Sequence, residues 1–170
     1  MSKPLAVCRA LVLLLGLLSS SLTMAQTSKP APPLTSPMRA HALRLRPGDD
    51  LREALLAYVA QHHLGAAAVL TCVGSLTVTT LRLANQEGPT EYRGHFEIVS
   101  LVGTLSATGG SHLHLSVSDS TGRTLGGHLL TGCRVYTTAE IVLAALPELG
   151  FTRETDPTFG YKELVVKPKK

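Results

Sequence analysis

Tryptophan is absent from this chain, and phenylalanine and tyrosine make up only 4% of its 170 residues. Any core must therefore be assembled from Leu, Val, Ala and Ile. Charge is also scarce: 16% of residues are charged and 44% are hydrophobic, which excludes an intrinsically disordered chain. No apolar run reaches the ~20 residues that a membrane-spanning helix needs. The cysteines are Cys8, Cys72 and Cys133, and none forms a C-x-x-C pair, so zinc-ribbon and thioredoxin readings fail on spacing. Ser111 stands beside His112 but in no elbow-type motif, so no nucleophilic triad is evident.

The net charge of +4 is unevenly placed. Lys3 and Arg9 lie near the start, Lys167, Lys169 and Lys170 lie at the end, and the stretch between is close to neutral. A basic isoelectric point with that distribution does not describe a nucleic-acid surface, which needs cations clustered on one folded face.

The ends also define the organisation. Residues 1–25 have the layout of a signal peptide: Lys3 and Arg9, the apolar run Ala10 to Leu18, then small residues with a cut expected before Gln26. An organelle transit peptide is the alternative, and the compact Leu-rich run favours secretion. Residues 26–38 hold Pro30, Pro32, Pro33 and Pro37 and read as a flexible linker. The folded domain is expected over 39–167, with a basic tail at 168–170. The leader routes the product to the secretory pathway, whereas synthesis starting at Met38 would give an intracellular product.

Within the domain, His41 to Arg46 alternates as a strand, and Pro47-Gly48 breaks it. Asp49 or Asp50 can cap a helix carrying Leu51, Leu55, Tyr58 and Val59 at helical spacing and ending near Leu64-Gly65. His62 and His63 fall in its last turn, where a capping role competes with a ligand role. Strands are then expected at Ala67–Val73 and Leu76–Leu83, joined by a Gly74-Ser75 turn, and at Phe96–Ser106, crimped at Gly103. His112–Ser118 and Arg123–Leu130 flank Asp119-Ser120-Thr121-Gly122, a strong hairpin turn. Gly132–Tyr136 continues the sheet, Thr138–Leu146 begins as strand, and Tyr161–Val166 closes the chain. One principal helix followed by many strands gives an α+β single domain around a mainly antiparallel sheet. Cys72 and Cys133 sit in apolar segments as small buried hydrophobes, or as a disulfide in an oxidising compartment.

The chemistry-bearing stretch is Gly109-Gly110-Ser111-His112-Leu113-His114-Leu115, followed by Gly126-Gly127-His128. Alternate residues of a strand share a face, so His112 and His114 point one way while Leu113, Leu115 and Val117 point into the core. His128 lies on the partner strand, and a turn centred near Ser120-Thr121 sets it close to His112. Three imidazoles converging in this way form a candidate site for zinc or a similar divalent metal, with a fourth position left open. Glu97 or Glu140 could supply a base or a carboxylate that orients a ligand histidine, though nothing in the spacing demands either. The competing reading is a metal-free histidine cluster lining a polar cleft.

Gly94-His95-Phe96-Glu97-Ile98-Val99-Ser100-Leu101, G-G-S-H-L-H-L, G-G-H-L-L-x-G-C and V-Y-T-T-A-E-I together resemble the PPC (plant and prokaryote conserved) domain family over about Arg39 to Val166. The resemblance implies a compact domain that assembles as a homotrimer, with metal-ligating histidines at the positions of His112, His114 and His128. In plants the domain follows AT-hook segments that grip the DNA minor groove. This chain has no R-G-R-P core, so that means of binding DNA is missing. Three functions follow: a trimeric assembly or binding module, a metal-dependent enzyme of unassigned substrate on the same histidines, and a DNA-associated regulator. The first is favoured and the last disfavoured. The expected partners are further copies of this chain and an unidentified small-molecule or protein ligand.

Overall fold

The computed structural model describes residues 33–169, so the expected leader and most of the linker lie outside the described residues. Strand β1 (Arg39–Leu45) leads through a Pro47-Gly48 turn into helix α1 (Leu51–Gln61). The chain then runs through β2 (Ala67–Arg82), β3 (Thr90–Ser106), β4 (Gly110–Ser118), β5 (Thr124–Leu129) and β6 (Arg134–Ala145). These six strands form one sheet in the order β1-β6-β2-β3-β4-β5, with every pairing antiparallel. β5 also pairs with β2 at Leu81↔Leu129 and Arg82↔His128, so the sheet curls and closes on itself there. A hairpin of β7 (Leu149–Thr155) and β8 (Lys162–Pro168) forms a second, two-stranded sheet. Among the described residues no helix is long and apolar enough to cross a membrane.

The helix begins where the sequence allows it to. Asp50 has an extended backbone, and its Oδ1 accepts from the amides of Arg52 and Glu53, satisfying two of the donors that a helix start leaves open. Leu51, Leu55 and Val59 recur every four residues and are completely buried against the sheet. They pack with Leu76, Leu81, Leu105, Leu113, Leu115, Leu129, Ile141 and Leu143, the aliphatic core expected of a chain poor in aromatics. The helix stops at Gln61, earlier than expected. His62 is its C-cap, and His63 takes a left-handed φ of 50°, so both lie beyond the last turn. The His62 ring rests instead on Tyr58, with centroids 4.2 Å apart.

Gly74-Ser75 is not a turn. β2 runs straight through it as one strand, with pairing irregularities between Gly74 and Leu76 that absorb the local bend. Gly132–Tyr136 and Thr138–Leu146 likewise merge, in part, into the single strand β6. Strand β7 has no counterpart among the expected elements. Its apolar residues Leu149 and Phe151 make only a small separate cluster with Ala66 and Leu146. Gly109 allows β7 to approach, since a Cβ there would lie 2.4 Å from the Phe151 carbonyl oxygen. The Phe151 amide donates to the Gly65 carbonyl at 2.9 Å, fixing the hairpin to the body. Cys72 and Cys133 are both free and buried, as hydrophobes rather than a disulfide. β8 extends to Pro168, and the Lys169 amide donates to the Glu148 carbonyl, so most of the expected basic tail is held by the fold.

Candidate metal centre

The site is built by the alternation of β4. Leu113, Leu115 and Val117 are buried in the core, which turns His112 and His114 to the opposite face. The β4–β5 loop is set by Asp119. Its Oδ1 accepts from the amides of Thr121 and Arg123 at 2.9 and 3.1 Å, and its own amide donates to the Arg123 carbonyl. Residues 119–123 therefore form the loop, and Ser118 pairs with Thr124. The resulting register sets His128 directly opposite His114, not His112 as the turn centre had implied. His112 lies diagonally across from His128, a distance that a ring still spans.

All three histidines nevertheless converge. The ring centroids of His112–His114, His112–His128 and His114–His128 are 5.1, 5.3 and 5.6 Å apart. One nitrogen from each lies within 4.8 Å of the others. Burial pushes the His128 imidazole down to about 4, helped by the positive charge of Arg82. Burial also lowers His112, with Arg153 adding to the effect and Glu163 opposing it. Both rings are thus neutral near pH 7 and keep a lone pair for a metal. His128 Nδ1 is buried without a hydrogen-bond partner, an orphaned atom on the ring that faces the other two. These donors fit a divalent metal that takes nitrogen ligands and retains an open position.

Neither acid singled out in the sequence joins them. Glu97 pairs with Ser118 and Ser75, towards the far end of β4, and Glu140 lies opposite Arg44 in the β1–β6 ladder. The cavity beside the histidines is about 450 Å³ and is walled by Arg82, Arg153, Tyr161, Lys162 and Glu163. Arg82 is the β2 partner of His128, and the others belong to β7, β8 and the turn joining them. Alternating hydrophobicity gave a signal for β8 alone, and nothing in the sequence tied that strand to the histidines.

Residues 34–147 match the Plants and Prokaryotes Conserved (PCC) domain, and the chain belongs to this family. It is 48% identical over 143 residues to a bifunctional protein GlmU of Synechococcus sp., covering 84% of this chain and 22% of that protein. It is 33% identical over 99 residues to AT-hook motif nuclear-localized protein 13 of Arabidopsis thaliana, covering 51% of this chain and 22% of the plant protein. The chain thus spans about a fifth of the length of these curated relatives. A hypothetical protein from Salmonella shares 47% identity and a TM-score of 0.79, over 81% of this chain and 99% of that one. A metal-containing protein from Archaeoglobus fulgidus shares the fold at a TM-score of 0.69 and 22% identity, over 79% of this chain and 99% of its own.

Proposed function

We propose that this protein is a self-assembling binding module in which His112, His114 and His128 hold a divalent metal such as zinc. The observation that carries the reading is the convergence of three imidazole nitrogens within 4.8 Å, with His128 Nδ1 buried and unpartnered. When bound, such a metal supplies a Lewis acid with an open position for a ligand atom. The metal-containing relative from Archaeoglobus supports the reading. Self-association, expected as a homotrimer from the family resemblance, is supported in its coarser form by the sheet's outer residues: Leu70, Val73, Val99 and Val102 are each more than half exposed, at 51–56%. Sedimentation should give a mass above that of one 18.0 kDa chain, and Val73→Lys should lower it.

Catalysis at the same site would need a proton acceptor beside the histidines, and Glu163 is the carboxylate that the cavity offers. A DNA role comes into view through the AT-hook relatives, but this chain has no R-G-R-P core to enter the minor groove. The deciding experiment is elemental analysis of the purified protein beside a His112→Ala/His128→Ala variant. About one metal ion per chain, lost in the variant, is the expected result. A folded wild type that holds no metal after reconstitution overturns the reading.

A further inference from the structure

The histidines are not the only polar groups of this cavity. Arg82, Arg153 and Lys162 line it against the single carboxylate of Glu163. Among the described residues the ion pairs are Glu91–Arg93, Asp119–Arg123 and Glu154–Lys167, so none of the three cavity cations is held in a direct ion pair. Arg153 Nη2 donates to the carbonyl of Lys162, but its Nη1 is buried with no acceptor. The guanidinium itself lines the cavity with bonding capacity left unmet, and an oxyanion is the group that pairs with it most effectively. Arg82 stands across the ladder from His128, on the same sheet face, so the cations and the imidazoles border one space.

The metal reading sharpens this point. Three uncharged ligands leave a bound dication with its full charge, and the surrounding arginines add to it. A centre of that kind, without a carboxylate ligand, is balanced by an anion entering with the metal. At about 450 Å³ the cavity suits a small molecule rather than a polymer.

We propose that the cavity binds a small oxyanionic ligand, a carboxylate or a phosphate, with its oxygens on Arg153 and Arg82 and the histidine site beside it. The contact with the metal rests on the reading above; the contact with the arginines does not. The family match ends at residue 147 and β7 begins at Leu149, so the histidines lie within the family's segment and Arg153 lies beyond it. The β7–β8 hairpin, which carries Arg153, forms one wall of this cavity.

The test is equilibrium dialysis of labelled inorganic phosphate and labelled malonate against the full-length protein, with and without one equivalent of zinc. Arg153→Gln and Arg82→Gln are compared with Arg93→Gln, whose partner Glu91 lies on β3 away from the cavity. Saturable binding of either anion is expected, weakened about tenfold or more by each cavity substitution and unchanged by Arg93→Gln. The anion bound more tightly identifies the class. Zinc should tighten anion binding, and the anion should tighten zinc binding by the same factor. If one variant fails to fold, the other still reads the effect. Zinc uptake without anion binding, or anion binding indifferent to both arginines, overturns the proposal and leaves the metal site standing. Arginine-dependent anion binding in a protein that takes up no metal upholds it and removes the metal reading instead.

Discussion

His114 and His128 are direct partners in the β4–β5 ladder, their ring centroids 5.6 Å apart on one face of the sheet. Such a pair is held by backbone hydrogen bonds rather than by side-chain packing, so its spacing survives small changes elsewhere. Structural zinc sites gain roughly 10–16 kcal/mol from about four ligands, so losing one imidazole costs on the order of 3 kcal/mol, or ~100-fold in affinity. His112→Ala, His114→Ala and His128→Ala should each show that loss in competition with a chromophoric chelator. A variant with unchanged affinity would remove its residue from the ligand set.

Gly103 should be as critical to the site as a ligand, though it holds none of the chemistry. Its φ is 131°, and a Cβ there would stand 2.0 Å from the His112 carbonyl oxygen. Gly103→Ala should cost ~1–3 kcal/mol through overpacking and displace the strand that carries His112 and His114. Urea denaturation and metal content measured together should fall together.

Asp50 joins the helix to the loop before β6. Its Oδ1 caps α1, and its Oδ2 accepts from the Gly132 amide at 2.6 Å. Asp50→Ala should cost ~2–4 kcal/mol, combining a lost cap with a lost charged hydrogen bond. Asp50→Asn keeps the capping oxygen and should cost less. Thermal unfolding by circular dichroism distinguishes the two.

Burial raises the Cys72 thiol to about 12 and the Cys133 thiol to about 11. Cys72 and Cys133 of the native protein should therefore resist iodoacetamide at pH 8 and react once urea unfolds it, with peptide mapping separating them from Cys8. The unfolded thiols ionise near pH 9 while the folded ones do not, so their contribution to stability is full below pH 9 and is lost as the pH rises towards 11–12. A urea midpoint that falls above pH 9 checks the sign.

The sequence was most informative where one physical constraint acted alone. Alternation around Leu113, Leu115 and Val117 assigned the faces of β4, and the Asp119–Gly122 segment located the hairpin. Register needed more than composition, because Asp119 draws Arg123 into the loop and moves the partner of His128 from His112 to His114. Gly74 reads as a turn residue, yet it also lets a strand bend without ending, and the two uses look alike in one sequence. The wall of the site was the least legible part. β7 buries only Leu149 and Phe151, and what places it near the histidines is a close approach at Gly109 that no local pattern encodes.

The closure of the main sheet ends in a short seam. Only Leu81↔Leu129 and Arg82↔His128 pair β2 with β5, and the Leu130 amide adds a bond to the Thr80 carbonyl. So few rungs make this a natural place for the ring to breathe, and amide hydrogens along it should exchange sooner than those of the long β2–β3 ladder. A ligand bound as proposed, on Arg82 at one lip and His128 at the other, would act as a latch. Slowed exchange at Leu129 and Leu130 would then report occupancy from the backbone itself, before any partner or reaction is identified.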